Sequence, residues 1–301
     1  MSDISQVDHQ DTKMAKAPSL YNEAEIYAEE KIGKCATKSF GLAIFAGIFI
    51  SLAFVFFITV TTGTDNQSWG LVRFAGGIAF SLGLILVVIC GGELFTSSII
   101  SSISWAKGQV SSKQLLQLWS RVYCGNLVGA LFVLLLVMMG KMYLLNDGLW
   151  GLNALNLAQH KLHHTWSEAF ALGILCNMLV CLGIWMAFAS KDPLTRALLL
   201  IFPVAMFVSS GFEHCIANLF MVPLGIFIHL FAEPSFFINL NINPQMYADL
   251  TLQHFIFNNL IPVTLGNIVG GCVIALGYWI IEAKATNSND KITTTQIFKK
   301  N

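Results

Sequence analysis

Charge is what this sequence has least of. Asp, Glu, Lys and Arg make up 11% of its 301 residues, against about a quarter in a soluble domain. None of them falls within 39–64, 74–92, 122–140, 169–190 or 250–281, and 197–232 holds only Glu213. The chain is 55% hydrophobic with a mean hydropathy of +0.66. About 20 apolar residues cross the hydrocarbon as a helix, so six such runs exclude a soluble fold and indicate a polytopic membrane protein. Acids and bases balance at 17 each, which gives no reason to expect nucleic acid. The seven cysteines form no CxxC pair and lie mostly within apolar runs, so they serve as small packing residues rather than disulfides or metal ligands. There is no HExxH zinc motif and no paired Asn-Pro-Ala signature, which speaks against an intramembrane enzyme and against a neutral-solute channel. No cofactor is expected. No charged leader with a cleavage site precedes the apolar runs, and no cleaved signal peptide is expected.

Six spans follow, at about 38–62, 71–103, 114–145, 166–190, 194–231 and 254–283. They divide the chain into an N-terminal segment (1–37), a six-span domain (38–283) and a polar tail expected to lack structure (284–301). Fourteen of the 17 positive charges lie on one side; Arg73, Lys141 and Lys161 alone lie opposite. The positive-inside rule then puts both termini in the cytoplasm.

The second and fifth spans are too long for single helices and carry polar, Gly-containing interruptions. The two halves also echo each other. GNLVGA (125–130) matches GNIVGG (266–271), GGELF (91–95) matches GFEHC (211–215), and AGIFISLA (46–53) loosely resembles LGILCNML (172–179). Each half has three spans, so the second copy inserts upside down. The expected fold class is an all-α bundle of two inverted three-helix repeats, with helices 2 and 5 broken and a site at the midplane.

Backbone freed at a break must be satisfied by protein or by water in a cavity. Half-helices starting at the two breaks would aim their positive ends at a common point, attractive to an anion. His214 stands there with Thr96 available opposite, and an intramembrane ionisable residue is a functional candidate by default. Glu93 and Glu213 would repel an anion if bare, so both are expected to be compensated by backbone N–H groups or Lys. Asn126 and Asn267 are read as bonding across helices. The HKLHH cluster (160–164) is read as exposed loop histidines rather than a metal site.

With these residues in view, the chain resembles the formate–nitrite transporter family. The resemblance runs from about Lys31 to Tyr278, through AIFAGIFISLAFVFFITVTTGT, GGIAFSLGLILVVICGGELFTSS, YCGNLVGALF, QHKLHHTW, PVAMFVSSGFEHCIANLFMVPLGI and NLIPVTLGNIVGG. It implies an aquaporin-like six-helix fold assembled as a homopentamer in the bacterial inner membrane, one pathway per protomer. It implies a pH-sensitive formate channel, with nitrite or hydrosulfide as the alternative cargo. His214 would be the pore histidine, relaying a proton to the anion or hydrogen-bonding it, and Thr96 its partner. Phe80, Leu84, Leu94, Val180 and Phe207 would form apolar constrictions, and Glu213, Asn218, Lys31 and Lys161 a polar network around the histidine. Gating by the N-terminal segment, with a formate-producing lyase as partner, is a further implication.

Overall fold

A computed structural model describes residues 20–64 and 66–298, with side chains as far as residue 283. Residues 1–19 of the expected N-terminal segment and the side chains of the expected tail lie outside the described residues. The described chain is helical, as hydrocarbon demands of a backbone that must satisfy its own N–H and C=O groups. Helix α1 (Leu20–Gly33) precedes the first span, α2 (Ala36–Thr61). The second span is α3 (Trp69–Ile89) followed, after a break, by the short helices α4 (Phe95–Ser98) and α5 (Ser102–Ala106). The third is α6 (Ser112–Met139), opened by a capping box between Ser111 and Gln114. Where only a loop was expected, α7 (Leu149–Leu162) forms. The fourth span, α8 (Trp166–Ala187), starts from a second capping box, Thr165 with Glu168. The fifth is split into α9 (Pro193–Ser209) and α10 (Cys215–Phe231). Short helices α11 (Pro234–Asn239) and α12 (Leu252–His254) lead through a π-turn, Phe255–Leu260, into α13 (Ile261–Phe298). The backbone of α13 thus stays helical well into the tail expected to lack structure.

Both breaks are built the same way. Gly91 (φ +78°) and Gly211 (φ +76°) occupy the left-handed region just past α3 and α9, where a Cβ would be strained. The next amides close each helix end: Gly92 N–H donates to the Val87 carbonyl at 2.8 Å and Phe212 N–H to Phe207 at 2.9 Å. The extended residues that follow dock on a neighbouring span. Glu93 N–H donates to Leu42 O at 3.1 Å and Glu213 N–H to Leu172 O at 3.3 Å.

Those two contacts also fix the repeat. Leu42 and Leu172 are 130 residues apart, as are Ile44 and Ile174, which approach Gly129 and Gly270 respectively. The equivalent stretches of spans one and four are therefore FGLAIFAG (40–47) and FALGILCN (170–177). The sequence pairing of 46–53 with 172–179 was displaced by four residues. One helical turn leaves the same face forward, which is why apolar composition alone does not reveal the slip. At the same spacing α7 is the counterpart of α1, so each repeat carries a helix before its first span.

The spans pack where small residues permit it. A Cβ on Gly129 would lie 2.1 Å from Ile44 O, and one on Gly270 2.2 Å from Ile174 O. Close backbone approach through Gly holds α2 against α6 and α8 against α13, the usual means of association in a bilayer. Outward faces stay apolar and exposed, as at Leu131, Phe132, Leu135, Phe202 and Val273.

Candidate functional site at the meeting of the two breaks

The break segments are held by two asparagines in equivalent roles. Asn126 accepts from Phe95 N–H at 2.9 Å and donates to Ala43 O (2.8 Å) and Glu93 O (2.9 Å). Asn267 accepts from Cys215 N–H at 2.9 Å and donates to Gly173 O (2.8 Å) and Glu213 O (2.9 Å). Both are fully buried. Each amide thereby satisfies three backbone groups that a broken helix would leave stranded in an apolar interior.

Held in this way, the restarting helices bring Thr96 and His214 together. Thr96 Oγ1 lies 3.1 Å from His214 Nε2, and both residues are buried. His214 is the N-cap of α10, and its Nδ1 accepts the Ala217 N–H at 3.1 Å. A nitrogen that accepts carries no proton, so the neutral ring has its proton on Nε2 and donates it to Thr96. The imidazole stacks on Phe207 with centroids 5.9 Å apart and planes 16° from parallel, and Phe207 meets Phe80 edge-on at 6.0 Å.

His214 lines a cavity of about 60 Å³, several times the room one water needs. Phe54, Phe57, Phe80 and Phe207 give it apolar walls, while Arg73, His160, Lys161 and Glu213 give it charge and hydrogen-bonding capacity. Of the five expected constriction residues, Phe80 and Phe207 line this cavity. Leu84, Leu94 and Val180 are buried and do not line it.

The expected polar network divides in two. Lys161 Nζ pairs with Glu213 Oε1 at 2.9 Å, and Asn218 Nδ2 donates to Glu213 Oε2 at 2.6 Å. Lys31 does not join them. It pairs with Glu93 Oε2 at 2.6 Å, and Lys34 takes the other oxygen of the same carboxylate. The reason lies in the repeat: Lys31 and Lys161 are 130 residues apart and occupy equivalent places in opposite halves. Each intramembrane Glu is thus compensated by the lysine of its own flanking helix.

Sequence reasoning missed several participants. Asn259, buried in the π-turn, donates to Lys161 O (2.9 Å) and Glu213 Oε2 (3.2 Å) and accepts from Asn218 (2.7 Å). Arg73 Nε donates to Ser209 O at 3.0 Å across the cavity rim, while Ser209 Oγ donates back to Arg73 O. Asn177 Nδ2 donates to Thr96 O (3.2 Å) and Asn267 O (2.6 Å). Only Arg73 had a signal, as a charge beside an apolar run. Of the histidines in 160–164, His160 lies in the last turn of α7, His163 is its C-cap and His164 stands in the turn that follows, 3.8 Å from Glu213 Oε1. Among the described residues no group of His, Cys, Asp or Glu could hold a metal ion.

The chain is similar to known proteins along most of its length. The family described as Formate/nitrite transporter matches residues 18–280. The formate channel FocA of Escherichia coli K12 is 50% identical over 268 residues, covering 89% of this chain and 93% of that protein. Haemophilus influenzae FocA is 48% identical over 255 residues, covering 83% and 90%. Among solved structures, a pentameric formate channel with formate bound is similar at a TM-score of 0.77 and 51% identity, covering 82% of this chain and 98% of that one. An FNT family ion channel is similar at a TM-score of 0.72 and 27% identity, covering 87% and 98%.

Proposed function

The chain belongs to the formate/nitrite transporter family, and from that premise we propose that it carries formate across a bacterial inner membrane as a homopentamer, with one pathway through each protomer. The observation that carries this reading is the cavity lined at once by Arg73, Lys161 and His214, the histidine whose Nε2 meets Thr96 of the other break. Positive groups in the lining attract an anion, and His214 supplies a hydrogen-bonding ring beside them. No bond-making step on the substrate other than proton movement belongs to this reading.

In this reading both termini and α1 face the cytoplasm, as the distribution of Lys and Arg requires, so the cavity and α7 face outward. An unpaired carboxylate moved into a low dielectric costs on the order of tens of kcal/mol by Born estimates. Phe80 and Phe207 would impose that cost. Two routes reduce it. In the first, formate stays an anion and replaces Thr96 as the acceptor of the His214 Nε2–H. In the second, His214 passes a proton to formate, and neutral formic acid crosses.

The second route needs an imidazolium, which carries protons on both nitrogens, so the ring must first surrender the Ala217 N–H at Nδ1. Losing such a cap costs about 1 kcal/mol, a price small enough for a transient step. Proton relay through His214 is therefore coupled to loosening of the first turn of α10.

Uptake of labelled formate into proteoliposomes at several pH values, for wild type and for His214→Asn and His214→Phe, decides between the routes. Relay predicts that the variants lose the proton-linked component and keep at most a pH-insensitive flux. Unchanged proton coupling in both variants overturns it. Competition by nitrite and hydrosulfide in the same assay ranks the cargo. A formate-producing lyase acting on the N-terminal segment completes the proposal, and residues 1–19 of that segment lie outside those described.

A further inference from the structure

The two carboxylates in the channel are compensated by equivalent but unequal clusters. On the first, Lys31 takes one oxygen of Glu93 and Lys34 the other. On the second, Lys161 takes Glu213 Oε1, and the residue equivalent to Lys34, again 130 positions on, is His164. Its Nε2 stands 3.8 Å from that same Oε1, too far for a hydrogen bond. The nitrogen is buried and has no hydrogen-bond partner among the described residues. One cluster therefore has two lysines against one carboxylate. The other has one cation and an imidazole held just short of contact.

Resting on the formate-channel reading above, we propose that His164 is a positioning residue for anion entry, which when protonated closes on Glu213 as Lys34 closes on Glu93 and leaves the charge of Lys161 available to the anion in the cavity. Histidine is the side chain whose charge changes between pH 5 and 8. Neutral His164 leaves the cluster of Lys161 and Glu213 without net charge, and protonated His164 makes it cationic. The cavity, which Arg73 also lines, then attracts anions more strongly in acid than near neutrality, while the Lys31–Glu93–Lys34 cluster has no histidine to change its charge.

The surroundings permit this. His160 faces His164 edge-on with centroids 5.2 Å apart. Burial, followed by His164 and Lys161 themselves, holds the His160 imidazole below its ordinary value. His163 is engaged with Asp249 at 2.7 Å. Glu168, on α8, is turned to the Thr165 N–H at 2.8 Å, and Arg73 stands across the cavity. Glu213 is the carboxylate left within reach of the free nitrogen.

The test is the half-saturating concentration for labelled formate in right-side-out vesicles, with outside pH varied from 5 to 8. A simple carboxylic acid stays ionised over that range, so its own titration does not shape the result. For wild type the half-saturating concentration rises by roughly three- to tenfold from pH 5 to 8, the size expected of one unit charge near a partly solvated site. His164→Lys, the residue of the other half, holds it flat near the acid value. His164→Gln holds it flat near the neutral value. A purely structural role would lower activity in both variants and leave the pH profile unchanged. A wild-type profile retained by both variants, or a flat profile in wild type, overturns the proposal. If wild type carries no formate at any pH, the substrate reading fails, and the same series with labelled nitrite tests His164 by the same outcomes.

Discussion

Thr96 Oγ1 and His214 Nε2 meet at 3.1 Å, and this contact joins the restarting helices of the two repeats. Because Ala217 N–H occupies Nδ1, the hydroxyl is the acceptor for the ring proton and competes with any anion arriving from the cavity. Thr96→Val removes the competitor. Formate should then bind with a lower half-saturating concentration and leave more slowly, so that the maximal rate falls. Thr96→Ser keeps the oxygen and should behave as wild type. Equal kinetics for the Val and Ser variants would show that the hydroxyl has no part in substrate handling.

Asn126 and Asn267 perform the same task in opposite halves, and their replacement should have the same cost. Asn126→Asp and Asn267→Asp keep an acceptor for the Phe95 or Cys215 amide but lose both donors to carbonyls. Each then buries a charge facing two unpaired carbonyl oxygens. Leaving buried groups unsatisfied costs about 1–3 kcal/mol apiece, so each variant should lose at least about 3 kcal/mol. Thermal unfolding in detergent measures it. A large loss in one half only would contradict the equivalence of the two breaks.

The breaks themselves were legible because they violate the rule around them: a Glu flanked by Gly and hydroxyls stands out in an uncharged run. The GNLVGA and GNIVGG stretches were legible for a similar reason, since Asn and Gly are costly inside a span unless something requires them. Register in spans one and four was not. Apolar residues there face lipid and core alike, and the contacts that set the register, such as Glu213 N–H on Leu172 O, involve backbone that carries no side-chain signature. The place of Lys31 was hidden because α1 and α7 share only Ala24/Ala154, Ala28/Ala158 and Lys31/Lys161, a match too sparse to find without the spacing of 130 that the structure supplies. Asn259 was hidden by the π-turn, whose sequence FIFNNL reads locally as ordinary apolar helix. The meeting of Thr96 with His214 could be named from the resemblance, but the tautomer needed the Ala217 amide.

Close helix packing predicts a matched pair of steric defects. Gly129→Ala and Gly270→Ala place a methyl 2.1 and 2.2 Å from a carbonyl oxygen of the facing helix, so the backbones must separate. Overpacking of this kind costs about 1–3 kcal/mol. Gly41→Ala, on α2, meets nothing within 4 Å and should be neutral or stabilising by up to about 1 kcal/mol through helix propensity. The comparison is made by unfolding temperature in one detergent. If Gly41→Ala destabilises as much as the other two, helix contact is not the cause.

His160 gives the extramembrane end of α7 a defined response to acid. Its imidazole is held below its ordinary value first by burial, then by His164 and Lys161, against the opposing pull of Glu213. A group whose folded value is depressed binds its proton more readily when unfolded. Its contribution to stability is therefore complete above the unfolded value of about 6.5 and is lost as pH falls toward the folded one. Wild type should lose stability between pH 7 and pH 5, and His160→Gln, which cannot titrate, should lose less. Much of the ring is open to solvent, so the difference should stay below about 1 kcal/mol after screening. Raising the salt concentration should shrink the part due to His164 and Lys161 and leave the part due to burial, because only the first is a charge interaction through solvent. Unfolding temperatures of the two proteins at pH 5 and pH 7, each at low and high salt, separate the two contributions. A gap that is the same at both pH values would mean that His160 supports α7 by packing alone.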